Sequence, residues 1–317
     1  MKKLILLLFI PLVFGCDIVK KLEDKKNDLD EFNLNGKVKS LKETTYSAVE
    51  KFGEPVKDEL VQAEHDTLTE RYFNKDGFMT ERNLYYYYFG ELRSVNKYKY
   101  DEFGNKIELN TYDKGGELLS KSKYEYNDDG NLNEESYYDE DGELMYEIIS
   151  MYDDKGNKIE DITWDKDGQI QLGTEYKYDD DGNMIEKNNY YRRLAPPRLS
   201  SNYKFEYDDK GNQIELAVYY KNHPEDNIFQ KFRYDDKGNR IEKNSYNLVG
   251  ELEEKKKYKY DDAGNLIESN SYDKDGQSRR VTEYKYEFDN NKNWFKIIVY
   301  VDGIATEITE REIEYYD

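Results

Sequence analysis

Tyr152-Asp153-Asp154-Lys155-Gly156-Asn157 reads YDDKGN, and the same six letters return at Tyr207–Asn212 and Tyr234–Asn239. A looser form, an aromatic residue, then Asp or Asn, two further residues and Gly, occurs thirteen times from Phe73–Gly77 to Tyr272–Gly276. Asp or Asn at the first position and Gly at the fourth is the preference of a type I β-turn. The Asp side chain can accept a backbone N–H of the turn. Glycine accepts positive φ and closes a hairpin through a one-residue bulge. YDDKGN therefore reads as a hairpin turn rather than a repeated binding site.

The turns fall at regular intervals. Gly104, Gly130, Gly156, Gly182, Gly211, Gly238 and Gly264 are separated by 26, 26, 26, 29, 27 and 26 residues. A second series, Gly116, Gly142, Gly168, Gly250 and Gly276, runs between them, and the steps alternate between 12 and 14. Even steps keep each position on the same face of a strand in every repeat. The expected fold is all-β: tandem hairpin repeats of about 26 residues forming a long antiparallel meander, twisted or rolled into a solenoid-like or shell-like sheet.

Within the strands, tyrosines recur two apart, as at Tyr98/Tyr100, Tyr124/Tyr126, Tyr176/Tyr178, Tyr258/Tyr260 and Tyr284/Tyr286, and stack into a stripe on one face. Tyr152 is expected to face the side that carries Trp164, with Met151 and Ile159 on the opposite side. Ile107, Ile159, Ile185, Ile214, Ile241 and Ile267 form a second, thinner stripe. Neither face is cleanly apolar, which argues against a two-layer sandwich. Prolines interrupt the array at Tyr190–Tyr203 and Tyr220–Phe229, and Lys292 stands where the last turn should have glycine.

The chain divides into a leader over 1–15, a tether over 16–36, degenerate capping strands over 37–71 and the array over 72–317. The leader begins with two lysines and an apolar run, Leu4–Phe14, that is too short to span a bilayer as a helix. Val13-Phe14-Gly15-Cys16 resembles the lipobox of bacterial lipoproteins, and Cys16 is the only cysteine. The resemblance implies lipidation at Cys16, hence a membrane partner through the lipid and a place in the cell envelope, at the outer membrane or cell surface. In the tether, Ile18, Leu22, Leu29 and Phe32 fall near helical spacing, so a docking helix is the alternative.

Net charge is −21 with 37% charged residues, which excludes a nucleic-acid partner. Two histidines far apart, and no cysteine beyond the lipidation point, leave no catalytic constellation, so no enzyme and no cofactor are expected. The loop Tyr178–Glu186 offers hard oxygen donors in Asp179 and Asp181. Lys177 and Asn188 stand where an EF-hand would need acidic ligands, so no metal site is expected.

YKYDEFGNKIE (Tyr98–Glu108) and YKYDDAGNLIE (Tyr258–Glu268) are similar to the YD repeats of the Rhs-type family, over roughly 72–300. Large members wrap such repeats into a β-shell that encloses a toxin. The strand-like ATEITEREIEYYD stands where such members continue into a toxin, so no toxin region and no encapsulating role are expected here. The resemblance also implies carbohydrate binding. Tyrosine rings present apolar faces with a polar tip, and a row at ~10 Å intervals suits a repetitive polymer. The candidate contacts are Tyr112, Tyr138, Tyr190, Tyr246, Tyr272 and Trp164, which takes a tyrosine's place in the row. The functional expectation is an envelope-anchored, non-catalytic binding or display scaffold for a glycan or extracellular polymer. Its alternatives are a structural protein without a ligand, and packing of Trp164 inside the rolled sheet.

Overall fold

The computed structural model describes residues 27–60, 68–86, 90–193 and 196–317. Cys16, the leader and the first part of the tether lie outside the described residues. Strands account for 64% of the chain. The first three are β1 (Val38–Lys51), β2 (Glu54–Leu60) and β3 (Thr69–Phe73). They are followed by β4 (Met79–Tyr85), β5 (Leu92–Tyr100), β6 (Lys106–Asp113), β7 (Leu118–Tyr126), β8 (Leu132–Tyr138) and β9 (Leu144–Tyr152). Then come β10 (Lys158–Asp165), β11 (Ile170–Tyr178), β12 (Met184–Tyr191), β13 (Arg198–Tyr207), β14 (Gln213–Tyr220) and β15 (Ile228–Tyr234). The last six are β16 (Arg240–Tyr246), β17 (Leu252–Tyr260), β18 (Leu266–Asp273), β19 (Ser278–Phe288), β20 (Trp294–Val301) and β21 (Ile304–Tyr315). One short helix, α1 (Asp28–Glu31), precedes them.

From β3 to β21 each strand pairs antiparallel with the next, as the even spacing requires. The sheet then closes on itself. β1 pairs with β21 from Val38/Tyr315 to Ser47/Glu307, and its other edge takes β3 at Ser40–Glu43 and β2 at Tyr46–Lys51. The result is a closed antiparallel barrel of 20 strands, not an open solenoid. Its edges are removed because the degenerate start of the array, read as a cap, is the strand that joins the two ends.

A barrel with this many strands is wider than its side chains can fill. Among the described residues only Leu29, Leu34, Val38, Leu41, Phe73, Val218, Phe232 and Ile308 are buried apolar side chains. Five of these, Leu29, Leu34, Val38, Leu41 and Phe73, form one cluster at the barrel mouth.

Directly paired residues share a face, so the pairings sort the wall into two surfaces. One holds Tyr98 with Leu109, Tyr258 with Ser269 and Tyr286 with Ile297. The other holds Lys97 with Asn110, Lys99 with Glu108 and Lys259 with Glu268. The N-terminal segment identifies the concave surface. Asp28 accepts the Tyr100 hydroxyl (2.8 Å), Phe32 packs on Phe73, Arg311 donates to the Phe32 carbonyl, and the Asn35 N–H donates to Asn293 (2.7 Å) at the start of β20. These contacts run across six neighbouring strands, from β5 round to β20, an arc of ~24 Å. Residues 28–35, with one helical turn, span at most ~20 Å. A segment shorter than the arc it touches lies across a concave wall, so the paired-tyrosine face lines the lumen. From Asn27 onward the expected tether is thus docked, along the helical spacing of Leu29 and Phe32.

Candidate functional site

The lumenal tyrosines have a defined task. The hydroxyl of Tyr126 donates to the Lys106 carbonyl (2.9 Å), that of Tyr152 to Leu132 (2.6 Å) and that of Tyr178 to Lys158 (2.8 Å). Tyr100, Tyr207, Tyr234, Tyr260 and Tyr286 do the same to Met79, Met184, Gln213, Arg240 and Leu266. Each acceptor lies two residues past the turn glycine of the preceding hairpin. The first tyrosine of each YD motif therefore ties one repeat to the one before. Burial pushes the Tyr126 phenol up to about 12, with the Asp101 carboxylate nearby adding to the effect.

The aspartate of the motif is equally occupied. In the Tyr152–Asn157 turn, Asp153 Oδ1 accepts the N–H groups of Lys155 (3.0 Å) and Asn157 (2.8 Å), and Oδ2 accepts the Asn157 side-chain amide (3.0 Å). Asp179, the residue weighed for calcium, accepts the same three bonds, from Asp181 and Asn183. The Asn183 side chain is the main cause holding the Asp179 carboxyl below the usual carboxylate range. A carboxylate saturated by its own turn is a poor cation ligand. His223, Glu225 and Asp226 cluster at the 3-10 turn Pro224–Asp226, where all three are exposed.

The candidate contact residues lie on the outer wall. Tyr112 pairs with Val95, Tyr138 with Lys121, Trp164 with Glu147, Tyr190 with Gly173, Tyr246 with Phe229 and Tyr272 with Lys255. All six are half-buried and sit on alternate strands, each just before the second-series turn or loop. Trp164 therefore does not share a side with Tyr152, contrary to expectation, and it does not pack in the lumen. The cause is a β-bulge: Tyr152 pairs with Lys158 but Met151 with Glu160, so one extra residue reverses the alternation of β10. Met151 and Ile159 are both exposed.

Two members of the row escape a reading of the sequence. Tyr219 faces outward opposite Asn202, next to the proline loop, and Tyr300 opposite Glu283, before a two-residue turn. Neither precedes the five-residue glycine turn that marks the others.

Amines sit over several of these rings. Lys97 lies 5.7 Å from the Tyr112 centroid, Lys123 5.3 Å from Tyr138 and Lys257 5.6 Å from Tyr272. Beside Trp164 the wall departs from the repeat. A Cβ at Gly173 would fall 2.0 Å from Arg192 Nε, so the glycine lets that side chain cross the strand and reach Glu160 and Glu175. Trp164, Tyr190 and Arg192 form the most distinctive patch of the row.

A family model described as an uncharacterised protein matches residues 223–315. No curated protein matches the chain. Among solved structures, the fold is similar to the crystal structure of TcdB2-TccC3-Cdc42, at 12% identity over 85% of this chain and 16% of that one, with a TM-score of 0.32. It is similar to the Photorhabdus luminescens Tc holotoxin pore at 11% identity over 81% of this chain and 16% of that one, with a TM-score of 0.31. It is also similar to a porin-like protein from Bacteroides uniformis, at 13% identity over 89% of this chain and 98% of that one, with a TM-score of 0.33.

No helix among the described residues is long and apolar enough to cross a membrane. The outer wall carries ion pairs such as Lys99–Glu108 (2.7 Å), Lys121–Glu108 (2.9 Å) and Lys259–Glu268 (2.8 Å). Lipid-crossing barrels instead present an apolar band outward.

Proposed function

We propose that this chain is a lipid-anchored envelope protein of the YD-repeat type, whose barrel displays the outer aromatic row as a non-catalytic binding surface for a repetitive polymer, a glycan by chemistry. The observation that carries the reading is the row itself. Half-buried rings recur on the outer wall at every second strand, ~10 Å apart, on a scaffold whose turns and lumenal clamps are already satisfied internally.

The direction of the chain supports display. Asn27 meets the first turn of the array at Asp76 (3.0 Å), so an anchor at Cys16 would join the rim formed by the YD turns. The aromatic row lies toward the other rim, which would then point away from the membrane. Rings that are half-buried, several with a lysine amine over one face, lose little side-chain freedom on binding, as suits weak, repeated contacts to a long ligand.

The test uses a released Cys16→Ser chain in which Trp294→Phe leaves Trp164 as the reporter. Acrylamide is expected to quench Trp164 readily, and a glycan array is expected to show polymer binding that Trp164→Ala weakens by about tenfold, one lost stacking contact. A shielded Trp164 together with a blank array would contradict the proposal and leave a structural role without a ligand.

A further inference from the structure

The tandem repeat breaks in one place inside the lumen, and a cavity lies there. The repeat puts tyrosine, then glycine, then Lys, Leu, Met, Gln or Arg at three positions around each YD turn. The last turn has Phe288, Lys292 and Trp294 instead. Lys292 adopts φ +65°, the left-handed region that glycine occupies in the other turns of the series. Among the described residues only Asn33, Phe52, Lys292 and Asp302 have positive φ without being glycine. Phe52 and Asp302 stand beside Gly53 and Gly303 in two-residue hairpins, where the turn itself requires it. Asn33 ends helix α1, where the Leu34 N–H returns to the Leu29 carbonyl (3.0 Å), and Lys292 puts a long side chain where the other turns of its series have glycine; both line a cavity of about 840 Å³.

The cavity lies between the docked N-terminal segment and the lumenal wall. Its apolar side is Trp294, Phe288 and Leu34, and its polar side is Asp30, Asn33 and Lys292. Phe288 is 42% exposed and stacks on Tyr286, so one side of its ring stays open to the cavity. The Arg311 guanidinium covers one face of Trp294 at 3.4 Å and fixes the indole in place. Asn35, which lines the cavity, is equally fixed. Asn293, 1% exposed, holds Asn35 through both its amide groups and donates to the Tyr315 hydroxyl.

We infer that this cavity is a binding site for a small neutral saccharide of one or a few rings, held between the lumenal wall and the N-terminal segment. Its size suits a compact ligand. Oriented aromatic rings accept the apolar face of a sugar, and a carboxylate, a carboxamide and an amine supply both acceptors and donors for its hydroxyls. Asp261 also lines the cavity, but its carboxylate is taken up by the Ala263 and Asn265 N–H groups and the Asn265 side-chain amide of its own turn, which leaves one aspartate, Asp30, and one lysine, Lys292, to meet a ligand with balanced charge. The site is separate from the outer row and does not depend on its function.

The test is a titration of the full chain carrying Trp164→Phe, so that Trp294 reports alone. The probes are glucose, galactose, N-acetylglucosamine and the β-1,4-linked dimers of glucose and of N-acetylglucosamine. At least one is expected to give a saturable change in emission with a Kd of about 1 mM or tighter. Asp30→Ala and Lys292→Gly are each expected to weaken it about tenfold, the loss of one charge-assisted hydrogen bond. Lys292→Gly restores the repeat's own turn, so its melting temperature is expected to hold or rise while affinity falls. No saturable change with any probe would overturn the inference. So would unchanged affinity in Lys292→Gly, or a lower melting temperature that makes Lys292 a stabiliser of its turn.

Discussion

Asp153 shows how little of the YD motif is left over for a ligand. Its two carboxylate oxygens take three hydrogen bonds from Lys155 and Asn157, while the Gly156 N–H closes the turn on the Asp153 carbonyl at 3.0 Å. Gly156 has φ +82°. A β-branched side chain resists that conformation, so Gly156→Val is expected to lower stability by about 1–3 kcal/mol in a urea melt. Micromolar calcium is expected to leave the melting temperature of the unaltered chain in place. A calcium-dependent rise that Asp179→Asn abolishes would show that the turns hold metal. The turn was legible in the sequence, because Asp-x-x-Gly places both the side-chain acceptor and the residue that takes positive φ. What the asparagine braces, and that tyrosine reaches back one repeat, needed the hydrogen bonds.

At the scale of the element, each hairpin closed by an Asp-x-x-Gly turn carries a bulge after it, and that bulge decides which residues face the lumen. Alternation alone puts Trp164 with Tyr152; the extra residue between Lys158 and Glu160 puts it outside. Two bulges per repeat cancel, so the even spacing survived as a guide to the fold while the face of a single residue did not. The strand tyrosines that do reach the lumen give the barrel a pH response. Burial raises the Tyr126 phenol to about 12. Tyr100, Tyr176 and Tyr286 are shifted in the same direction, again chiefly by burial. An unfolded phenol ionises near pH 10. Between pH 10 and 12 the unfolded chain therefore holds fewer protons than the folded one, and stability falls as pH rises. It is fully present below pH 10. The melting temperature is expected to drop steadily across that window, and Tyr126→Phe to shallow the drop while costing about 1 kcal/mol at pH 8, where only the bond to Lys106 is lost. A flat profile from pH 10 to 12 would contradict the lumenal placement of these rings.

For the whole molecule, the sequence showed a meander but not its closure. Residues 38–51 carry no turn motif and read as a degenerate cap, and nothing in their pattern says that β1 will bridge β3 and β21. Closure is a property of accumulated twist and of two edges that meet far apart in the chain. It is also what separates the molecule into a lumenal face with clamps and a cavity and an outer face with an aromatic row, so the reading of both sites rests on it. Thr45 and Thr309 are direct partners across the β1–β21 seam, with their hydroxyls 2.9 Å apart. The most direct measurement is oxidative crosslinking of a chain carrying Thr45→Cys and Thr309→Cys with Cys16→Ser, run dilute and scored by a reducible mobility shift of the monomer. A closed barrel gives a near-complete intramolecular disulfide; an open array leaves both thiols free or joins them only between chains.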